Sequence, residues 1–240
     1  MSVRESRLLE EGAKYFQITL SSEQVRQFME YYDLLMEWNQ VMNLTAITEF
    51  DEVMQKHFVD SLALAGVMDL TSCRRLIDVG TGAGFPGIPL KIAFPHLQVV
   101  LLDSLNKRVR FLNAVIERLG LSDICAVHGR AEDVARKEEY RESFDLCVSR
   151  AVSNLSTLSE YCIPYTKIHG CFVSYKSGNV DEELQQAKRA VKLLGGNIKH
   201  CEKFSLPGSD MERSLVVIEK EKKTPGTYPR KAGIPGKEPL

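Results

Sequence analysis

The chain is predicted to be an α/β protein: a mostly parallel sheet flanked by helices and capped by an N-terminal helical segment. Three observations predict this. From Arg74 onward, short apolar runs alternate with amphipathic stretches, as in parallel strands joined by helical crossovers. The last two apolar runs are linked only by Pro207-Gly208-Ser209-Asp210, too short for a crossover, so they pair as an antiparallel hairpin. Before residue 70, apolar residues recur at helical spacing.

Taken in order, Ser21-x-x-Gln24 has the form of a capping box. Val25, Phe28, Met29, Tyr32, Leu35 and Met36 then follow at helical spacing. A second helix is expected from Asp51 to Ala65, with Val53, Phe58 and Leu62 turned inward. Residues 1–70 thus form a helical cap whose apolar stripe serves core packing. Strands are expected at 75–79, 98–102, 124–128, 144–149, 170–175, 197–204 and 214–219. Helices are expected at 87–94, 106–119, 132–139, 155–162 and 180–194. Residues 71–223 form the main domain, and residues 224–240 a basic, Pro/Gly-rich tail.

A chain of 240 residues can bury one good core with a modest subdomain. Its 44% hydrophobic and 26% charged content is ordinary for a soluble globular protein. No apolar run approaches the roughly 20 residues that span a bilayer, and Met1-Ser2-Val3-Arg4-Glu5 opens no signal peptide. A cytoplasmic monomer is the expectation. The six cysteines form no C-x-x-C pair and read as buried, reduced thiols, while the histidines lack ligand spacing, so no metal is expected. A net charge of -1 argues against indiscriminate coating of nucleic acid. Residues 220–237, however, hold six basic residues against one acidic. That segment is either a solvated terminus or an arm in which Arg230 and Lys231 meet RNA phosphate while Tyr228 offers a stacking face.

The run Leu76-Ile-Asp-Val-Gly-Thr-Gly-Ala-Gly-Phe-Pro-Gly87 is the most informative. An apolar strand ends at Val79, a glycine loop follows, and a helix begins near Gly87, the arrangement of a nucleotide-type cofactor site. Gly82-Ala83-Gly84-Phe85-Pro86-Gly87 formally matches a dinucleotide fingerprint. Yet Gly80 already occupies the strand end, and Pro86 removes an amide donor. Asp78 would place a carboxylate beside the ligand, which suits a cation better than pyrophosphate. Asp78 with Gly80, Gly82 and Gly84 resembles motif I of the class I S-adenosylmethionine (SAM)-dependent methyltransferases. Their Rossmann-like, seven-stranded sheet with a terminal hairpin matches the outline above.

Ligands in such sheets bind beyond the carboxyl ends of the strands. Asp103 ends the second strand, where it can accept ribose hydroxyls or cap the next helix. Ala131 and Glu132 follow the third strand and are placed to frame an adenine, although Glu132 can equally favour a helix dipole. Arg150 follows the fourth strand and faces the cofactor cleft. His57, within Lys56-His57-Phe58, is expected to be structural, and Asn39 and Asn43 to order a helix end and the loop after it.

Further motifs extend the resemblance to nearly the whole chain. They include Trp38-Asn39, Asn43-Leu44-Thr45, His57, Asp60-Ser61-Leu62, Leu102-Asp103-Ser104 and Lys107-Arg108. Arg130-Ala131-Glu132, Ser149-Arg150-Ala151, Lys176-Ser177-Gly178, Glu212-Arg213 and Pro229-Arg230-Lys231-Ala232-Gly233-Ile234-Pro235 complete it. Together these are similar to the RsmG (GidB) family, bacterial small-subunit rRNA guanine-N7 methyltransferases.

The resemblance implies methyl transfer from SAM to one guanine in a 16S rRNA hairpin loop near the decoding region. It implies cofactor contacts at Gly80, Phe85, Ala131, Glu132 and Arg150. Arg130, Lys176 and Arg213 are the matching basic positions for RNA or catalysis. Guanine N7 carries a free lone pair, so no general base is required, and none is evident. Arg150, Lys176 and Arg213 are therefore expected to position reactants, with Arg150 acting on cofactor, phosphate or O6 and not on N7. Two other classes remain in view: an NAD(P)-dependent oxidoreductase, and a non-catalytic ribosome-assembly RNA-binding protein.

Overall fold

A computed structural model describes residues 3–150 and 153–240. Ala151 of the Ser149-Arg150-Ala151 motif lies outside the described residues, as do the first two residues of the expected cap. The described residues build a seven-stranded sheet: β1 (Arg75–Val79), β2 (Gln98–Asp103), β3 (Ile124–His128), β4 (Phe144–Arg150), β5 (Thr166–Ser177), β6 (Gly196–Ser205) and β7 (Glu212–Lys220). Their order is β3-β2-β1-β4-β5-β7-β6. β1, β2, β3 and β4 run parallel to their neighbours and to β5. β7 pairs antiparallel with both β5 and β6. The expected hairpin is therefore present. The order reverses between β1 and β4, which places a switch point above Val79 and Arg150.

The central strands read as continuous apolar runs because both faces are covered. Leu76, Val148 and Val173 face a core shared with the N-terminal helices. Ile77, Cys147 and Phe172 face a second core on the other side. That second core is closed by α7 (Ala131–Val134), α8 (Leu155–Cys162) and α9 (Asp181–Leu193).

On the first side, α2 (Ser22–Met42) starts with the expected capping box: the Gln24 amide donates to Ser21 Oγ, and the Ser21 amide donates to Gln24 Oε1. Beside Phe28, the fully buried aromatic is Tyr31 and not Tyr32; Tyr31 packs against Phe58 and Phe85. An unforeseen helix, α1 (Val3–Tyr15), precedes it. Gly12 lets α1 approach Val59 so closely that an added Cβ would lie 2.5 Å from a Val59 methyl. The helix expected at 51–65 is subdivided: α3 (Phe50–Val53), a π-helical turn (Met54–Val59), α4 (Asp60–Leu62) and a 3₁₀ turn (Ala63–Gly66). π-turns of this kind tend to mark functional sites. α5 (Gly87–Ala93) and α6 (Asn106–Arg118) complete this layer.

Three expectations need correction. The helix expected at 132–139 ends at Val134, and in the turns that follow it Arg136 and Arg141 reach across to carbonyls of residues 224–229. The irregular tail is docked, and it closes with a short helix, α10 (Ile234–Lys237). All six cysteines are free, but only Cys73, Cys147 and Cys162 are buried; Cys125 is exposed on the β3 edge strand.

Candidate active site

The glycine loop leaves β1 at Val79 and is fastened at four points. The Gly80 and Thr81 amides donate to Leu102 O at 2.8 and 3.1 Å, tying the loop to the neighbouring strand. Beneath the loop, Asp78 Oδ2 accepts from Thr81 Oγ1 at 2.7 Å and from the Gly87 amide at 2.8 Å. In front, Asp103 Oδ2 accepts from the Gly82 amide at 2.9 Å, and Oδ1 from the Leu105 amide at 2.8 Å. From the cap, the Tyr31 hydroxyl donates to Ala83 O.

The glycines serve different ends. Gly80, Gly82 and Gly84 all have positive φ (72°, 63° and 98°). A Cβ on Gly82 would meet no protein atom within 4 Å, whereas one on Gly84 would lie 2.5 Å from Tyr31 Oη and Ile88 Cδ1. Gly82 keeps the cleft open; Gly84 lets the loop pack. Gly84 was expected at the cofactor, and close packing to Tyr31 explains it instead.

Asp78 also departs from expectation. Its carboxylate does not line the cleft; it is fully buried under the loop, with Oδ1 lacking a hydrogen-bond partner among the described residues. Burial raises its pKa to about 6, against the opposing pull of the Thr81 and Gly87 bonds. Asp78 shapes the loop and makes no direct contact with the cleft.

A cleft of about 910 Å³ opens above the loop, lined by Gly80, Gly82, Phe85 and Asp103 together with Arg150, Lys176 and Arg213. An adjoining recess of about 220 Å³ shares Gly80 and Asp103 with it and is walled by Arg130, Ala131, Glu132 and Tyr161. The expected residues are thus largely brought together. Lys176 donates to Glu183 at 2.6 Å and to Ser153 O at 2.7 Å.

Asp60 joins two of these cations. Its Oδ2 accepts from Arg150 Nη1 and its Oδ1 from Arg213 Nε, each at 2.9 Å. The π-turn contributes as well, since Arg150 Nη1 also reaches the carbonyls of Lys56 and His57. The Arg150 guanidinium lies 5.0 Å above the Phe85 ring. His57 stacks on the same ring at 4.6 Å and 17°. Burial, reinforced by Arg150, depresses the His57 pKa to about 3, so the imidazole is neutral. Arg150 Nη2 sits 3.5 Å from its Nδ1, which leaves Nε2 to carry the proton toward Thr45 Oγ1 at 2.8 Å. Asn39 orders the loop after α2 through two bonds to the Thr45 backbone, as expected.

Asp60, His57 and Tyr31 are the site residues that sequence reasoning did not assign. Asp60 and His57 fall inside the quoted motifs, which was the available signal.

The tail corrects another expectation. Arg230, expected at RNA, forms a two-pronged pair with fully buried Glu160, Nη2 to Oε2 at 2.7 Å and Nε to Oε1 at 3.0 Å. Tyr228 is half-buried against the second core. Lys231 is exposed.

Among the described residues, no cluster of three or more His, Cys, Asp or Glu is arranged to hold a metal. No described helix is long and apolar enough to cross a membrane.

Residues 24–216 match the family model described as rRNA small subunit methyltransferase G. The chain is 54% identical over 238 residues to "Ribosomal RNA small subunit methyltransferase G" of Lachnoclostridium phytofermentans, covering 99% of this chain and 98% of that protein. Among solved structures it resembles TrmN from Thermus thermophilus (TM-score 0.52, 18% identity, 68% of this chain, 48% of that chain). It also resembles TYW2 from M. jannaschii, solved with AdoMet (TM-score 0.50, 13% identity, 62% of this chain, 69% of that chain). At these identities the solved structures speak for the fold alone, the class I methyltransferase sheet.

Proposed function

The chain belongs to the rRNA small subunit methyltransferase G (GidB) family, and from that membership we propose that it methylates N7 of a guanine in a hairpin loop of 16S rRNA near the decoding region. The methyl donor in this reading is SAM. The observation that carries the reading is the junction of cleft and recess at Gly80 and Asp103. A backbone free of side chain and a carboxylate acceptor meet there, as an adenosyl group requires. Family membership leaves the oxidoreductase reading without support.

The residues present fit SAM. Gly82 leaves open space, Asp103 keeps acceptor capacity toward ribose beyond its two amide bonds and its 3.3 Å pair with Arg108 Nη1, and Ala131 and Glu132 wall a recess of nucleobase scale. When bound, SAM supplies a methyl group on a positively charged sulfur, and the N7 lone pair displaces that sulfur with its bonding electrons.

The protein's part is to position and to exclude water. Asp60 and the π-turn carbonyls hold the Arg150 guanidinium in place, which keeps its charge from wandering toward N7. Neutral His57 adds no further positive charge beside the reacting base. Arg213 and Lys176 line the same cleft and are the candidates for guiding RNA phosphate or guanine O6. Arg130 walls the recess and, with exposed Lys231, serves RNA in the same reading. A base splayed from an RNA loop reaches such a cleft without opening a duplex.

The experiment is transfer of labelled methyl from SAM to small ribosomal subunits lacking endogenous guanine-N7 modification, with the product base identified by mass. A 7-methylguanine in 16S rRNA is expected. Absence of transfer to subunits and to free RNA, with SAM binding intact, would reject the substrate assignment.

A further inference from the structure

The terminal motif Pro229–Pro235 brings only the Lys231 side chain to the methyl-transfer reading, yet its backbone is bonded to the walls of the recess. The Gly233 amide donates to Glu132 Oε1 at 2.8 Å. Pro235 O accepts from Thr157 Oγ1 on α8 at 3.2 Å. Gly236 runs close to Tyr161, where an added Cβ would stand 3.3 Å from the hydroxyl. Glu132 and Tyr161 both line the recess.

We infer that the C-terminal segment is an intramolecular strap that fixes Glu132 and α8 as the walls of the recess, and so positions the cofactor's adenine. This rests on the reading of the cleft as a SAM site. The physical need for a strap is local. Glu132 sits on α7, a helix of four residues, and a single helical turn has little stability of its own. Glu132 is also only 3% exposed, so its carboxylate needs partners in place of water. The tail supplies one at Oε1. It is itself anchored by the Arg230–Glu160 pair and by the donation of Arg136 and Arg141 to its carbonyls. A tail with its guanidinium committed to Glu160 is badly equipped to be an RNA arm.

The test compares the full chain with a chain ending at Lys231, which keeps the Arg230–Glu160 pair and loses the bonds of Gly233 and Pro235. Two readouts are taken: S-adenosylhomocysteine affinity by calorimetry, and amide hydrogen exchange without ligand. The shortened chain is expected to bind about tenfold more weakly, on the order of 1.4 kcal/mol. Exchange at residues 129–135 should quicken at least about tenfold, with α5 unchanged. Unchanged exchange at 129–135 would overturn the strap, as would a loss confined to RNA affinity. A full chain that binds no S-adenosylhomocysteine overturns the cofactor reading instead, and the exchange comparison still decides the strap. Should the shortened chain not fold, Thr157→Val in the full chain removes the bond to Pro235 O and is read by exchange at α8 and by S-adenosylhomocysteine affinity; unchanged values of both overturn the strap.

Discussion

Asp60 and Arg150, 90 residues apart in sequence, meet through a 2.9 Å hydrogen bond in which both side chains are largely removed from water. The same carboxylate holds Arg213. Removing it leaves two guanidiniums facing each other at the base of the cleft. Breaking a buried pair from one side costs more than the pair contributes, because the remaining charge is stranded. Asp60→Ala should therefore lower unfolding stability by about 3 kcal/mol, read by urea titration. Asp60→Asn preserves shape and loses the charge. It should fold, keep S-adenosylhomocysteine affinity better than it keeps methyl transfer, and be distinguished by that split.

Tyr31→Phe tests how the cap supports the loop. The ring stays packed on Phe58 and Phe85, but Ala83 O loses its donor inside a buried region. A buried carbonyl left unpaired costs about 1 kcal/mol or more. Since that carbonyl lies between Gly82 and Gly84, cofactor affinity should fall together with stability. A stability loss with unaltered S-adenosylhomocysteine binding would show that the bond supports the cap only.

What could be read from the sequence followed from what is local. The central strands were legible because burial on both faces makes them continuous apolar runs, and the glycine loop because its spacing is short. Helix α1 was not, as Gly12 and its charged neighbours weaken the helical pattern; only contact with Val59 explains the glycine. Tyr31 and Tyr32 are adjacent aromatics on one helix, and a partner on another element decides which is buried. Asp60 owes its role to Arg150 and Arg213, 90 and 153 positions away. The tail's composition described its own polarity and said nothing of Arg136 and Arg141, which bind its carbonyls.

The two inner glycines should fail in different assays. Gly82→Ala places a methyl into open cleft at a φ of 63°, at a backbone cost of about 1 kcal/mol, and should cut S-adenosylhomocysteine affinity far more than stability. Gly84→Ala meets Tyr31 and Ile88 at 2.5 Å and should cost about 2 kcal/mol or more through overpacking. Gly80→Val, at the cleft–recess junction and a φ of 72°, should abolish binding and, because a β-branched residue is strained there, lower the unfolding midpoint too. Calorimetry beside thermal unfolding separates the three.

His57 and Asp78 give opposite slopes of stability with pH. His57 falls from 6.5 to about 3 on folding, chiefly through burial. Its contribution to stability is full above the unfolded value and is lost as pH drops toward 3. Asp78 rises from 3.8 to about 6, also through burial. The folded chain then holds that proton more tightly, so its contribution is present below 3.8 and is lost as pH rises through 6. Between pH 4 and 6 the two slopes offset each other. Asp78→Asn should make stability climb with pH in that window, and His57→Gln should make it decline, each by up to about 1.4 kcal/mol per unit. Urea midpoints at pH 4.5, 5.5 and 7 report the signs. Methyl transfer should show no limb near pH 6.5 from His57.

Arg230 separates a structural tail from an RNA arm. Glu160 has no exposed surface and takes three donors from this one residue, its amide and two guanidinium nitrogens. Arg230→Ala strands that carboxylate in the interior and should cost about 3 kcal/mol. Arg230→Lys keeps the charge but not the fork, and should recover only part of the loss. Substituting Glu160 by Gln together with Arg230→Ala removes the stranded charge and should restore stability above the single Arg230→Ala variant. An RNA arm predicts the reverse: Arg230→Ala would leave the unfolding midpoint untouched and weaken RNA binding with a smaller salt slope. Unfolding midpoints and salt-dependent RNA titrations on the same three variants choose between the two.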